Sequence, residues 1–291
     1  MTKAFLVSLA AVFALFATVA AADNAGPPMW VVRDADSTIY MLAAYPVVKP
    51  TAPWRSAKMT AAFDASSEVW VFVEEMTDPS AQKALEPVLQ QHGFDSRRAL
   101  STVLPPEDAV RLTALAKEYG LPIAFLDAMR PWLAAVTLDT VLAKRAGYAE
   151  TGPAHDLAKD AAAAGKRVHA LKTIAEWIQD FGAIEPAAEL QLLETSLTPA
   201  PEAQRKLDQF HDAWVKGDFA TMEAYAANLR AEAPLAFAAT ISPQSEAWTS
   251  LIAKHMQGAG TIFVVIGAGS ALGDDGIPAL LAKRGYAVAR Y

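Results

Sequence analysis

Histidines and paired carboxylates are the side chains of this chain best suited to metal or acid–base chemistry. His92, His155, His169, His211 and His255 are scattered, with no HExxH or comparable ligand spacing, so each reads as a surface or core residue. Glu74 and Glu75 close the apolar run "VWVFV", where a carboxylate pair is either a solvated strand end or an acidic group in a pocket. Ser270 stands in "VVIGAGSALGDDG", a glycine-rich turn that invites a phosphate reading. The glycines at 267, 269 and 273 give G-x-G-x-x-x-G, one residue longer than the dinucleotide pattern, and Asp274 and Asp275 would repel phosphate. A nucleophile elbow fails as well, because Ala268 and Leu272 occupy the positions where G-x-S-x-G needs glycine. Asp34 and Asp36 read as turn residues. Trp70, Trp132, Trp177, Trp214 and Trp248 fall on apolar faces and read as core, with a ligand cleft lined by some of them as the alternative.

These residues need elements to hold them. "MWVVRDADSTIYML" gives two apolar runs about a polar turn, a hairpin over Trp30 to Leu42. A helix over Trp54 to Ala65 and a buried strand through "EVWVFVEEM" follow. From Pro79 helices dominate: "LPPEDAVRLTALAKEYG" and "RPWLAAVTLDTVLAKRAG" each start at proline and stop at glycine. "HDLAKDAAAAGKRVHAL" reads as helix, glycine turn and short strand. Further helices run through "EAQRKLDQFHDAWVKGDF" and "SEAWTSLIAKHMQGAG". The end reads as a strand over Ile262 to Ile266, a helix begun by Asp274 and Asp275, and a strand over Ala287 to Tyr291. Strands at both ends and helices between predict one α/β domain over 27–291, with a central mixed sheet built from N- and C-terminal strands and a largely helical middle.

The 291 residues carry a formal charge of −7, with 53% hydrophobic content and no cysteine. An acidic chain without basic runs is a poor partner for nucleic acid. Lys3, the apolar run behind it and Ala20-Ala21-Ala22 before Asp23 read as a secretory signal peptide over residues 1–22. Its removal takes Lys3 away and the charge from −7 to −8. A periplasmic or secreted bacterial protein is expected, without stable membrane insertion after cleavage and without a cysteine-linked lipid.

The hairpin through "WVFVEEM", then "RPWLAAVTLDTVLAKRAGYAETG", "AKDAAAAGKRVHALKT", "FHDAWVKGDF" and the ending "VVIGAGSALGDDGIPALLAKRGYAVARY" occur in the order found in TraB/GumN proteins. The chain resembles that family over nearly all of its length beyond the leader, and the family is related to the metal-dependent Tiki proteases. Members carry Tyr-Leu-Leu-Gly-Thr-x-His after the first hairpin, where this sequence reads Tyr40 to Pro46: Ala43 stands for the glycine and Pro46 for the histidine. The later Gly-x-x-His is Gly267 to Ser270, so Ser270 replaces the second histidine. Leu-Glu-Thr becomes Leu171-Lys172-Thr173, and an Arg-Asn pair aligns with Gln244 and Ser245 ahead of Trp248. Glu74 keeps the acidic position.

Metal hydrolases need imidazole, carboxylate or thiolate donors converging on one point. The resemblance therefore implies a degenerate site at Ala43, Pro46, Glu74, Lys172, Gln244 and Ser270, without confident catalytic residues. It predicts that Pro46, Lys172 and Ser270 converge with Glu74, that Lys172 pairs with Glu74, and that no cofactor is held, neither Zn nor Mn. Three functions stay open: an inactive binding or regulatory protein for a protein or small-molecule ligand, a hydrolase remapped onto Glu74, Glu75 and His169, and a structural envelope-assembly factor.

Overall fold

A computed structural model describes residues 26–74 and 79–291. The expected signal peptide and Glu75 lie outside the described residues. The first two strands, β1 (Met29–Arg33) and β2 (Ser37–Ala44), form the expected antiparallel hairpin, with Met29 opposite Leu42. Asp34 turns the chain: its Oδ1 accepts the backbone N–H of Ser37 at 2.7 Å and of Asp36 at 3.2 Å, an Asx turn. The remaining strands are β3 (Glu68–Val73), β4 (Arg167–Lys172), β5 (Gly260–Gly267) and β6 (Val288–Arg290). They make one six-stranded sheet in the order β4-β3-β5-β2-β1-β6. The pairings β4–β3, β3–β5 and β5–β2 are parallel and those on either side of β1 are antiparallel, so the sheet is mixed, built from both chain ends, as expected.

Ile262 to Ile266 of β5 are all buried, which explains an uninterrupted apolar run: a central parallel strand is covered on both faces. The middle of the chain is helical. Helix Pro106–Tyr119 has proline in its first turn and stops on Gly120 at φ 72°, and helix Pro131–Arg145 also begins at proline. The first helix covers Ala57–Ala65 rather than starting at Trp54, because Ser56 caps it by accepting Met59 N–H at 3.1 Å. The last full helix is Ile277–Lys283; Asp274 and Asp275 precede it as expected, and Gly276 takes the cap position. Asp275 is drawn instead to Arg230, at 2.5 Å.

Two apolar clusters divide the interior. One joins the sheet to Trp214, Trp248, Phe210 and Leu157; the other joins Leu112, Leu115, Leu126, Leu138 and Leu193 of the helical middle. Trp132, Trp214 and Trp248 are fully buried as expected, whereas Trp70 and Trp177 are half-buried. Arg130 ties four helices together. It precedes helix Pro131–Arg145, donates to the carbonyls of His92 and Gly182, and pairs with the buried Glu189. No helix among the described residues is long and apolar enough to cross a membrane.

Candidate functional site

Because β2, β3, β4 and β5 run parallel, their carboxyl ends share one edge of the sheet, where open α/β sheets place their ligands. Ala43 and Ala44 end β2 opposite Ile266 and Gly267 of β5. Glu74 follows β3, and Lys172 ends β4. The topology thus brings Pro46, Glu74, Lys172 and Ser270 to the same edge. Their side chains each take a different partner.

Lys172 Nζ pairs with Asp180 on helix Ile174–Gly182, so the expected Lys172–Glu74 salt bridge does not form. Glu74 Oε1 instead accepts the backbone N–H of Ile174 at 3.2 Å. Its negative charge is best placed at this helix start, where unpaired N–H groups and the helix dipole favour an anion. Ser270 is fully buried and donates to Gln244 Oε1 at 2.5 Å, so two of the six positions meet. Ser245, beside Gln244, is buried, and its carbonyl accepts the Thr249 hydroxyl at 2.7 Å. Ala43 is buried, and its carbonyl accepts the Trp214 indole N–H at 2.6 Å. Pro46 is exposed and offers no side-chain donor.

The donor set does not fit a divalent metal. One carboxylate engaged with a helix start, one cation and one enclosed hydroxyl lack the convergent imidazoles and carboxylates such an ion requires. Among the described residues no three His, Asp or Glu side chains are grouped to hold one. His169, a candidate for a remapped site, lies in mid-β4 opposite Trp70, on which it stacks at 4.4 Å, and its Nε2 is 3.2 Å from Glu68 Oε2. It does not join Glu74 at the strand ends. Asp34 holds only its turn.

The glycine-rich turn holds an arginine. Gly273 has φ 83°, and a Cβ there would stand 2.6 Å from Arg230 Nη2. Arg230 Nη2 donates to Asp275 Oδ1 at 2.5 Å, while Gly273 N–H donates to Glu223 Oε1 at 3.1 Å. Helix Phe219–Glu232 therefore occupies the space that a phosphate cradle would need.

Beyond Ala44 three aromatic rings that the sequence did not single out pack in succession. Tyr45 stacks at 4.9 Å on Phe210, and Phe210 lies 4.8 Å from Tyr225. Asp139, on helix Pro131–Arg145, is near enough to Tyr45 and Tyr225 for its charge to raise both phenol pKa values, behind the larger effect of burial. Asp139 and Tyr225 are exposed residues, Tyr225 at 40%. Protein packed around its carboxyl raises the Asp139 pKa to about 6, against a hydrogen bond from Ser196. On the neighbouring side Lys49 Nζ lies 2.7 Å from Asp208 Oδ1, which also accepts the Tyr148 hydroxyl at 2.9 Å. The buried His211 accepts Lys49 N–H at Nε2 at 3.3 Å, and desolvation lowers its pKa. A shallow hollow of about 230 Å³ lies beside it, lined by Lys49, Pro53, His211 and Lys216 among others.

The loop carrying Pro46 is fixed from outside by Gly152. A Cβ on Gly152 would stand 2.1 Å from the Pro46 carbonyl oxygen, and Ala149 N–H donates to Val48 O at 2.8 Å. Gly152→Ala is expected to displace this loop and destabilise the chain by about 1–3 kcal/mol, the usual range for forced overpacking. Urea denaturation checks it, and an unchanged midpoint would show that the loop moves freely.

The family profile of TraB/PrgY/gumN matches residues 28–290, so the chain belongs to the TraB/PrgY/gumN family. No curated protein and no solved structure matches it.

Proposed function

We propose that this member of the TraB/PrgY/gumN family is an exported binding or regulatory protein that acts through the remodelled carboxyl edge of its sheet, without metal-dependent catalysis. The observation that carries this reading is the fate of the four edge positions. Pro46 has no donor, Ser270 is closed against Gln244, Glu74 is spent on the start of a helix, and Lys172 is spent on Asp180. A site built for catalysis holds its functional groups toward a common point, whereas these are turned to separate partners. Beside them Tyr45, Phe210 and Tyr225 set three rings in succession, and a shallow hollow of about 230 Å³ opens by Lys49 and His211, which suits ligand retention. Export is supported by the leader-like residues 1–22, and it places the protein in the periplasm or outside the cell.

Calorimetric titration of the purified mature chain with Zn²⁺, Mn²⁺ and Co²⁺ tests the reading. No binding tighter than roughly 10 μM is expected, because too few donors are free to offset dehydration of the ion. Stoichiometric, tight metal would overturn it and favour a hydrolase with remapped ligands.

A further inference from the structure

Two imidazoles gather around one indole at the β4 side of the sheet. Glu68 and Trp70 share a face of β3, and Arg167 and His169 lie opposite them on β4. The His169 ring stacks on Trp70 at 4.4 Å and 20°, and the ring of His255, the last residue of helix Ser242–His255, meets Trp70 at 5.0 Å and 73°. One carboxylate serves the group. Glu68 Oε1 is held by Arg167, while Oε2 accepts the Trp70 indole N–H at 3.2 Å and lies 3.2 Å from His169 Nε2. His169 Nε2 is enclosed without a formed hydrogen bond among the described residues, and only a proton on it turns its approach to Glu68 into one.

Acid upsets the charge balance of this cluster. With both imidazoles neutral, Arg167 and Glu68 cancel; with both protonated, three cations face a single carboxylate. His169 is placed to keep that carboxylate, since its Nε2 already faces Oε2 and its ring lies on the indole face, which attracts a cation. His255 is placed to lose it. Burial lowers the His255 pKa, and Glu68 of β3 opposes that, while His169 of β4 and Lys254 of its own helix add to it.

We propose that this cluster is an acid-operated latch: with neutral imidazoles His255 pins the last turn of helix Ser242–His255 to Trp70, and on acidification His169 takes over Glu68 and the helix end is released. An imidazole whose pKa is lowered where it packs contributes its contact above the ordinary value of 6.5 and loses it as pH falls below that, because the released ring binds the proton more readily. The release is local. Beyond the helix, Ser37 Oγ donates to the Gly258 carbonyl and Gly260 N–H to the Asp36 carbonyl, each at 2.8 Å, so the entry to β5 stays anchored. Earlier in the helix, Trp248 and Ile252 are fully buried. The latch sits at mid-strand rather than at the carboxyl edge, so its test is independent of the metal titration above.

Amide hydrogen exchange of the mature chain, corrected for the intrinsic rate at each pH, reads the latch. Exchange at Ala253 to Met256 is expected to rise at least about threefold between pH 7.5 and pH 5, relative to Ser245 to Thr249 of the same helix. His255→Gln is expected to remove this response. His169→Gln is expected to move its midpoint to lower pH, because one competing cation is gone. Urea midpoints at pH 7.5 establish that each variant is folded. Protection of that turn independent of pH overturns the inference, as does a response that survives His255→Gln. A midpoint unmoved in His169→Gln overturns it too, since His255 would then titrate alone.

Discussion

Arg130→Ala is expected to destabilise the protein by about 3–5 kcal/mol, the range found when one partner of a buried ion pair is removed. Arg130 donates through Nη1 to the Gly182 carbonyl at 2.6 Å and the His92 carbonyl at 3.3 Å, and through Nη2 to Glu189, which is 3% exposed. Alanine takes a donor from the Gly182 carbonyl and the Glu189 carboxylate, while the His92 carbonyl keeps the Trp132 indole N–H at 2.9 Å, and the buried carboxylate cannot turn to water. Burial pushes the Glu189 pKa up to about 6 even with Arg130 beside it. A carboxyl raised in the folded state contributes stability below its ordinary value, and that contribution is lost as pH rises through about 6. Without Arg130 the pKa climbs further, so the deficit of the variant widens between about pH 5 and pH 8. Urea denaturation across that range measures it. Combining Arg130→Met with Glu189→Leu should restore most of the loss, since an apolar pair removes the stranded charge. A deficit below about 1 kcal/mol, or one independent of pH, would show that Glu189 finds another partner.

Periodicity and capping residues made the elements legible. The apolar run Ile262 to Ile266 is buried throughout, and proline starts with glycine stops bounded helix Pro106–Tyr119 because those residues satisfy or forgo backbone N–H groups locally. The shared edge was legible too, because the resemblance implied that Pro46, Glu74, Lys172 and Ser270 come together at strand ends. The direction of each side chain was not. Lys172 finds Asp180 eight residues on, and Glu74 finds the N–H of Ile174, which only the path after β4 could bring near. The aromatic row escaped for the same reason: Tyr45 lies far in sequence from Phe210 and Tyr225, and nothing local marks them as neighbours. Arg130 was read as part of a helix start, while its three partners come from elsewhere in the chain.

Trp214→Ala is expected to cost about 3–5 kcal/mol, as for large aromatic side chains removed from a packed interior. The indole is fully buried, lies 6.2 Å from Trp54, and donates to the Ala43 carbonyl at 2.6 Å. That bond joins helix Ala200–Lys216 to the last turn of chain before Tyr45. Trp214→Phe separates the two contributions: it keeps an aromatic ring and removes the donor, so about 1–3 kcal/mol is expected from the carbonyl left unpaired in the core. Phe210 sits one turn earlier on the same helix, against Tyr45, and Asp208 nearly two turns earlier, against Lys49. Loosening the helix from β2 therefore separates Phe210 from Tyr45. The Phe variant should remain folded, with amide exchange at the end of β2 faster than the change in global stability accounts for. Urea midpoints and hydrogen exchange on the same preparations decide it. Wild-type stability in Trp214→Phe would mean that the Ala43 carbonyl acquires another donor, and unchanged exchange at the end of β2 would detach that strand from this contact.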